Sequence, residues 1–357
     1  MKAKHLKILF LIFILTCLII QSACAAQKNN VAQNDDVAEK SIQKAIAYYE
    51  QKDYQKAEQA FTRAIELAPD NPRPYALRWY VYDDTGQHDK ALSDICRAIE
   101  LKPSYKNYYY TRATTYMELK QYEKALPDFN RYLEHDPRSV VTYLYRAEIY
   151  DNLKQYQKGI DDCSKALEIL PDKYYTYYLR GSLYGKLDQH DKAIADFDKT
   201  IKLKPDHADA YKTRAYSYYT QGLLDKAIAD CNKAIELSTE DYVTYTTRGA
   251  IYLKLNQYDK ALSDLDKAIK INPQDAVVYL FRGQVYHKLK QYDKAIANYN
   301  IALKIEPDHD HTSTYASRAS SYLALGQKDK AIADYQKALL LDPDNKMLKA
   351  LLEKLQK

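Results

Sequence analysis

Arginine recurs in this chain with a fixed partner. Arg78, Arg112, Arg146, Arg180, Arg214, Arg248 and Arg282 follow one another at 34 residues, and Arg318 at 36. An aspartate stands 16 positions after seven of the eight: Asp94, Asp128, Asp162, Asp196, Asp230, Asp264 and Asp334, with Asn298 after Arg282. The planar guanidinium fork matches a carboxylate bidentately, and charges removed from water require such a partner. The pattern therefore predicts a ladder of Arg–Asp pairs between elements; the functional alternative is a row of arginines offered to anions. Signatures of catalysis are missing. No H-E-x-x-H, G-x-S-x-G, Walker loop or G-x-G-x-x-G occurs, so neither an enzyme nor a cofactor is expected.

Other groups of chemical interest have plainer readings. Cys163 and Cys231 are two repeats apart, with Cys96 one position out of that frame, and read as small buried apolar residues. Asp308-His309-Asp310-His311 carries metal-ligand types but reads as a polar surface loop, and no metal is assigned. Gly181 and Gly185 form a G-x-x-x-G, in a frame where the first position needs a small residue anyway.

The elements that must position these residues come from an internal period. YQKAEQAFTRAIELAPDN (54–71) returns as HDKALSDICRAIELKPSY (88–105), as HDKAIADFDKTIKLKPDH (190–207) and, last, as KDKAIADYQKALLLDPDN (328–345). Nine copies result, at 38–71, 72–105, 106–139, 140–173, 174–207, 208–241, 242–275, 276–309 and 312–345. Each reads as two helices. The first has tyrosine at its fourth and eleventh positions; the second is amphipathic and is closed by a proline that cannot continue it. Of the 37 tyrosines, 22 fall at unit positions 4, 11 and 17, and that spacing places them in the core.

This pattern resembles the tetratricopeptide repeat family over residues 38–345. Its small residue at unit position 20 is alanine in eight copies, with Gly159 departing; its closing proline is present in eight, with Thr239 departing. Position 4 is tyrosine where the family has tryptophan, except for Ser41 in the first copy, and position 7 is arginine where the family usually has leucine. The resemblance implies an all-α fold: a right-handed α-solenoid of nine helix-turn-helix repeats, with 346–357 as a C-terminal capping helix.

It also implies a groove lined by positions 2, 5, 9 and 12 of each first helix. Here these include Tyr80, Tyr110, Glu148, Asp151, Tyr175, Tyr178, Lys212, Tyr216 and Tyr219. Tyrosine combines an apolar ring, few rotamers and a polar tip, which suits it to anchor a partner peptide, a helix or a sugar chain. The carboxylate clamp of some family members needs Lys at position 5 and Asn at position 9 of one repeat; Lys212 meets the first requirement, but Tyr216 stands at the second.

Residues 1–26 read as an address. Lys2, Lys4, His5 and Lys7 precede the apolar run Ile8–Ile20 and small residues around Cys24, the plan of a secretory signal peptide. Cleavage after Ala25 would give a soluble exported protein. Lipidation of Cys24 would tether it, although Gln21 departs from the lipoprotein pattern, and a retained anchor is the third outcome. Residues 27–37 read as a flexible linker. Without the leader's three lysines the net charge of +5 falls to +2, too little for a nucleic-acid binder. The expected protein is a non-catalytic interaction scaffold, periplasmic, associated with the outer membrane or secreted. A glycan-binding module in polysaccharide export or envelope assembly is the alternative.

Overall fold

The computed structural model describes residues 33–305 and 311–356. The leader with Cys24, and Asp308, His309 and Asp310, lie outside the described residues. The chain forms two compact units that divide between Gln155 and Tyr156. The first contains α1 (33–50), α2 (Tyr54–Leu67), α3 (Pro72–Asp84), α4 (His88–Leu101), α5 (Lys106–Glu118), α6 (Tyr122–His135) and α7 (Val140–Asn152). The second contains α8 (Tyr156–Ile169), α9 (Tyr174–Lys186), α10 (His190–Leu203), α11 (Ala208–Thr220), α12 (Leu224–Leu237) and α13 (Tyr242–Lys254). It continues with α14 (Tyr258–Ile271), α15 (Ala276–Lys288), α16 (Tyr292–Ile305), α17 (Thr312–Ala324), α18 (Lys328–Leu341) and α19 (Lys346–Gln356). No strand occurs among the described residues. Odd-numbered helices from α1 to α17 are the first helices of the nine repeats, and even-numbered ones are the second.

A second helix buries one stripe. In α14 that stripe is Ala261, Leu265 and Ala268 at i, i+4 and i+7, while Asp259 in the first turn and Lys270 in the last complement the helix dipole. A first helix is packed on more of its circumference, because in each unit it meets its own second helix and the neighbouring repeats. In α15, Ala276, Val278, Tyr279, Gly283 and Val285 are all buried. Side-chain caps start several of these helices: Asp275 accepts from the Val277 and Val278 amides, and Asn71 from that of Arg73. The turn between the two helices is left-handed at unit position 15 in every repeat, yet glycine takes it only at Gly86, Gly222 and Gly326; elsewhere Lys, Asp or Asn holds φ near +55° to +59°.

The core is built from position 20, where the alanines and Gly159 are buried, and from position 24, where Phe61, Phe129, Phe197, Leu265 and Tyr299 sit. Position 8 must be small to admit the latter. A Cβ on Gly283 would stand 2.5 Å from the Tyr299 ring. The tyrosines correct the sequence expectation of a tyrosine core. Most at positions 4, 11 and 17 are half-buried, because their rings pack on cations as much as on apolar groups. The Arg248 guanidinium lies 5.7 Å from the Tyr245 ring and 6.0 Å from that of Tyr252, and Lys260 covers Tyr252 at 5.3 Å. The linker boundary is corrected too. Residues 33–37 are helical and continue into α1, where Lys40 bonds Asp36 at 2.6 Å one turn away. At the other end α19 buries Leu348 and Leu352 against Ala331, Tyr335 and Ala338 of α18, as expected of a cap.

The expected ladder forms. Asp94, Asp128, Asp196, Asp230, Asp264 and Asp334 each receive Nε and Nη2 of the arginine 16 residues earlier at 2.7–2.8 Å. These carboxylates are buried. What the spacing does not announce is the third arm. Nη1 reaches back to unit position 25 of the preceding repeat, at Thr62 for Arg78, Asn130 for Arg146, Ser164 for Arg180 and Asn232 for Arg248. Arg282, facing Asn298 in its own repeat, finds a carboxylate there instead, in Asp266 at 2.7 Å. One guanidinium thus joins two successive second helices. Asp264→Ala leaves Arg248 without its carboxylate, and we expect a loss of about 3 kcal/mol in urea denaturation. Adding Arg248→Leu is expected to restore most of that loss, because the uncompensated charge is removed with it.

Candidate functional site

The arginines are engaged in packing, and the face the sequence reading offers to a partner is the first-helix face that carries positions 2, 5, 9 and 12. In the first unit Tyr80 projects from α3 and is 47% exposed, its ring edge-on to Trp79 at 4.8 Å. It lines a cavity of about 600 Å³ with Arg73, Ala76, Lys102, Tyr105, Tyr108 and Thr111. Tyr110 is not part of that cavity. It is half-buried among Phe129, Tyr132 and Tyr145, with centroids 5.1–6.2 Å away, and burial pushes its phenol well above the usual range. Glu148 and Asp151 lie half-buried on α7.

In the second unit Tyr175 and Tyr178 adjoin on α9 with centroids 6.4 Å apart, and Tyr178 packs on Phe197 and on His207. Lys212 is already committed. Its amine bonds Asp209 at 2.6 Å and Asp241 at 3.2 Å. Burial disfavours its charge, but the two carboxylates outweigh burial and raise its pKa. Tyr216 is 54% exposed on α11. With Tyr219 it walls a cavity of about 390 Å³ whose other sides are Val243, Thr246, Thr247 and Ala250 from α13, Val277 and Phe281 from α15, and Asp275, which caps α15. Lys254 lies over the outer part of the Tyr219 ring at 5.2 Å.

One turn further along α13 and α15 the lining changes character. A second cavity of about 390 Å³ is bounded by Lys254, Gln284, His287, Lys288, Tyr299, Ser317 and Ser320, with no acidic residue among its walls. His287 Nδ1 meets Ser321 Oγ at 2.8 Å, and burial, aided by Lys288, lowers its pKa. Tyr299 is fully buried, and its hydroxyl has no hydrogen-bond partner. Within the second unit the structure thus brings Tyr216 and Tyr219 together at one cavity, and Tyr175 beside Tyr178 on α9. Val243, Val277 and Phe281 escaped the sequence reading, which followed tyrosine and passed over the valines at unit position 2 and the phenylalanine at position 6.

Family models described as tetratricopeptide repeat match residues 41–71, 80–105, 107–139, 178–242, 242–275 and 274–342. The chain belongs to the tetratricopeptide repeat family. Among solved structures it is similar to a tetratricopeptide repeat protein from Parabacteroides merdae ATCC 43184, at 25% identity and a TM-score of 0.53, over 70% of this chain and 99% of that one. A thermophilic repeat protein of Thermus thermophilus matches at 26% identity and 0.45, over 52% of this chain and 99% of that one. YrrB, described as having an unusual peptide-binding site, matches at 22% and 0.42, over 54% of this chain and 97% of that one. No curated protein matches the chain in sequence. Tetratricopeptide arrays are protein-interaction scaffolds and in general are not catalytic. Within this one, the geometry separates anchors from packing residues. Tyr110→Ala is expected to cost about 3 kcal/mol in urea denaturation, and Tyr216→Ala less than about 0.5 kcal/mol.

Proposed function

We propose that the second unit is the recognition surface of an exported scaffold, receiving an extended protein segment that carries an apolar side chain close to an acidic one. The observation behind this reading is the pair of cavities on successive turns of α13 and α15. The first is walled by Tyr216, Val277 and Phe281, and the second by Lys254, His287 and Lys288 without a neighbouring acid. Burial of one large apolar side chain supplies about 1.5–3 kcal/mol, enough to make the first cavity an anchor. The second supplies direction, since a carboxylate there replaces water with hydroxyl, amide and ammonium donors. Tyr80 and its cavity in the first unit form a second contact region on this reading.

The leader residues support a workplace in the bacterial cell envelope, with Cys24 as the residue that decides between a lipid tether and a free chain. A Cys24→Ala variant that loses membrane association and shifts in gel mobility supports the tether; an unshifted, still soluble product overturns it. For recognition, the measurement is crosslinking capture from the envelope fraction with the wild type and with Tyr216→Ala/Phe281→Ala, both of native helicity. Loss of one or a few partners from the variant is expected and names them. An unchanged partner list, or binding to purified envelope polysaccharide in place of protein, overturns the reading.

A further inference from the structure

We infer that Asp83, His88 and Glu118 form a binding site for a divalent transition-metal ion of the zinc class. The three come from different elements: Asp83 from the last turn of α3, His88 from the first position of α4, and Glu118 from the end of α5. One ligand atom of each converges, all within 4.8 Å of one another. His88 Nδ1 lies 3.7 Å from Asp83 Oδ1 and 3.3 Å from Glu118 Oε2. Zinc held at about 2.0–2.1 Å by nitrogen and oxygen in a tetrahedron spaces its ligand atoms by roughly 3.4 Å. The site therefore has the dimensions of three corners of such a shell, with the fourth left for water or a partner's group.

Two further observations point to a ligand. Asp83 Oδ1 and His88 Nδ1 are both sealed from solvent and neither makes a hydrogen bond, so the imidazole in its Nδ1-unprotonated form and the carboxylate would turn two acceptor atoms on the same point. Leaving such atoms unanswered is costly, and a cation answers both. The trio is also not imposed by the repeat. The equivalent positions are Asp151, Tyr156 and Lys186 two repeats later, and Gly185, His190 and Thr220 after that. Only the second and third repeats supply a full set of ligand types.

A bound ion would fasten both helices of the second repeat to the first helix of the third. The test is zinc chloride titrated into the full chain by calorimetry, with thermal melts in parallel, for wild type, His88→Gln and Glu118→Gln. The wild type is expected to bind one ion that the variants lose or bind at least tenfold more weakly, and zinc is expected to raise the melting temperature of the wild type alone, reversibly with a chelator. Glu118 is 48% exposed, so Glu118→Gln should fold without metal and keeps the comparison valid. Identical titrations for wild type and variants place zinc elsewhere, and no binding by the wild type at 100-fold excess means that the cluster is held by protons; either result overturns the inference.

Discussion

A guanidinium withdrawn from water has to be answered on every donor edge, and in this protein that requirement spaces the helices. Arg248 shows the arrangement, presenting two edges to the aspartate of its own repeat and the third to position 25 of the repeat before. Two second helices are then fixed relative to one first helix by a rigid planar group, rather than by interchangeable apolar contacts. The arrangement explains the composition. Tyrosine in place of a purely apolar residue at positions 4 and 11 gives the arginine two π faces while the hydroxyl stays near solvent, so charge, ring and carboxylate are satisfied together. In repeat eight, where the own-repeat carboxylate is replaced by Asn298, Arg282 bonds a carboxylate at position 25, Asp266, as Arg214 does at Asp198 in addition to Asp230. The cost is visible at Asp94, where burial raises the carboxyl pKa although Arg78 is bonded to it.

The ladder occupies positions 7, 23 and 25, and of the first-helix positions 2, 5, 9 and 12 only some share in holding the array together, as Tyr110 and Lys212 do at position 5. Those four positions differ between repeats. Repeats seven and eight place Val243 and Val277 at position 2, repeat six places Asp209, and repeat five places Tyr175. A solenoid in which one set of residues fixes geometry and another set varies is suited to recognition, since a change on the second set leaves the first intact.

The repeat frame, the helix pairs, the ladder and the terminal cap are legible in the sequence because nine copies repeat the same local demands. The site is less legible for a physical reason. Whether a tyrosine at a groove position is open depends on the residues facing it from neighbouring helices, and these lie 15 to 35 residues away. Tyr80 and Tyr110 illustrate the difference. Tyr80 stands beside an open cavity, while Tyr110 is closed over by Phe129, Tyr132 and Tyr145. Lys212 met one requirement of a clamp, but Asp241, the last residue of its repeat and the cap of α13, is its partner. Asp83, His88 and Glu118 carried no signal at all, since their spacing of five and thirty residues matches no metal motif and only the packing of three helices joins them.

The distribution of charge on the second unit follows from those same local commitments. Lys212 is neutralised by Asp209 and Asp241, so the ammonium nearest the apolar cavity on its α11 side offers little field to a ligand. Lys254 and Lys288, at the ends of α13 and α15, face the second cavity, whose walls hold no acid. At His287 burial, and then Lys288, disfavour the charged imidazole, and the ring bonds Ser321 through Nδ1. The two cavities therefore differ in kind although they share two helices: the walls of the first are mostly apolar with Asp275 at one side, and those of the second are polar and basic. A segment that fits both must run along the helix axes with its acidic residue toward the ends of α13 and α15, which sets its orientation as well as its composition.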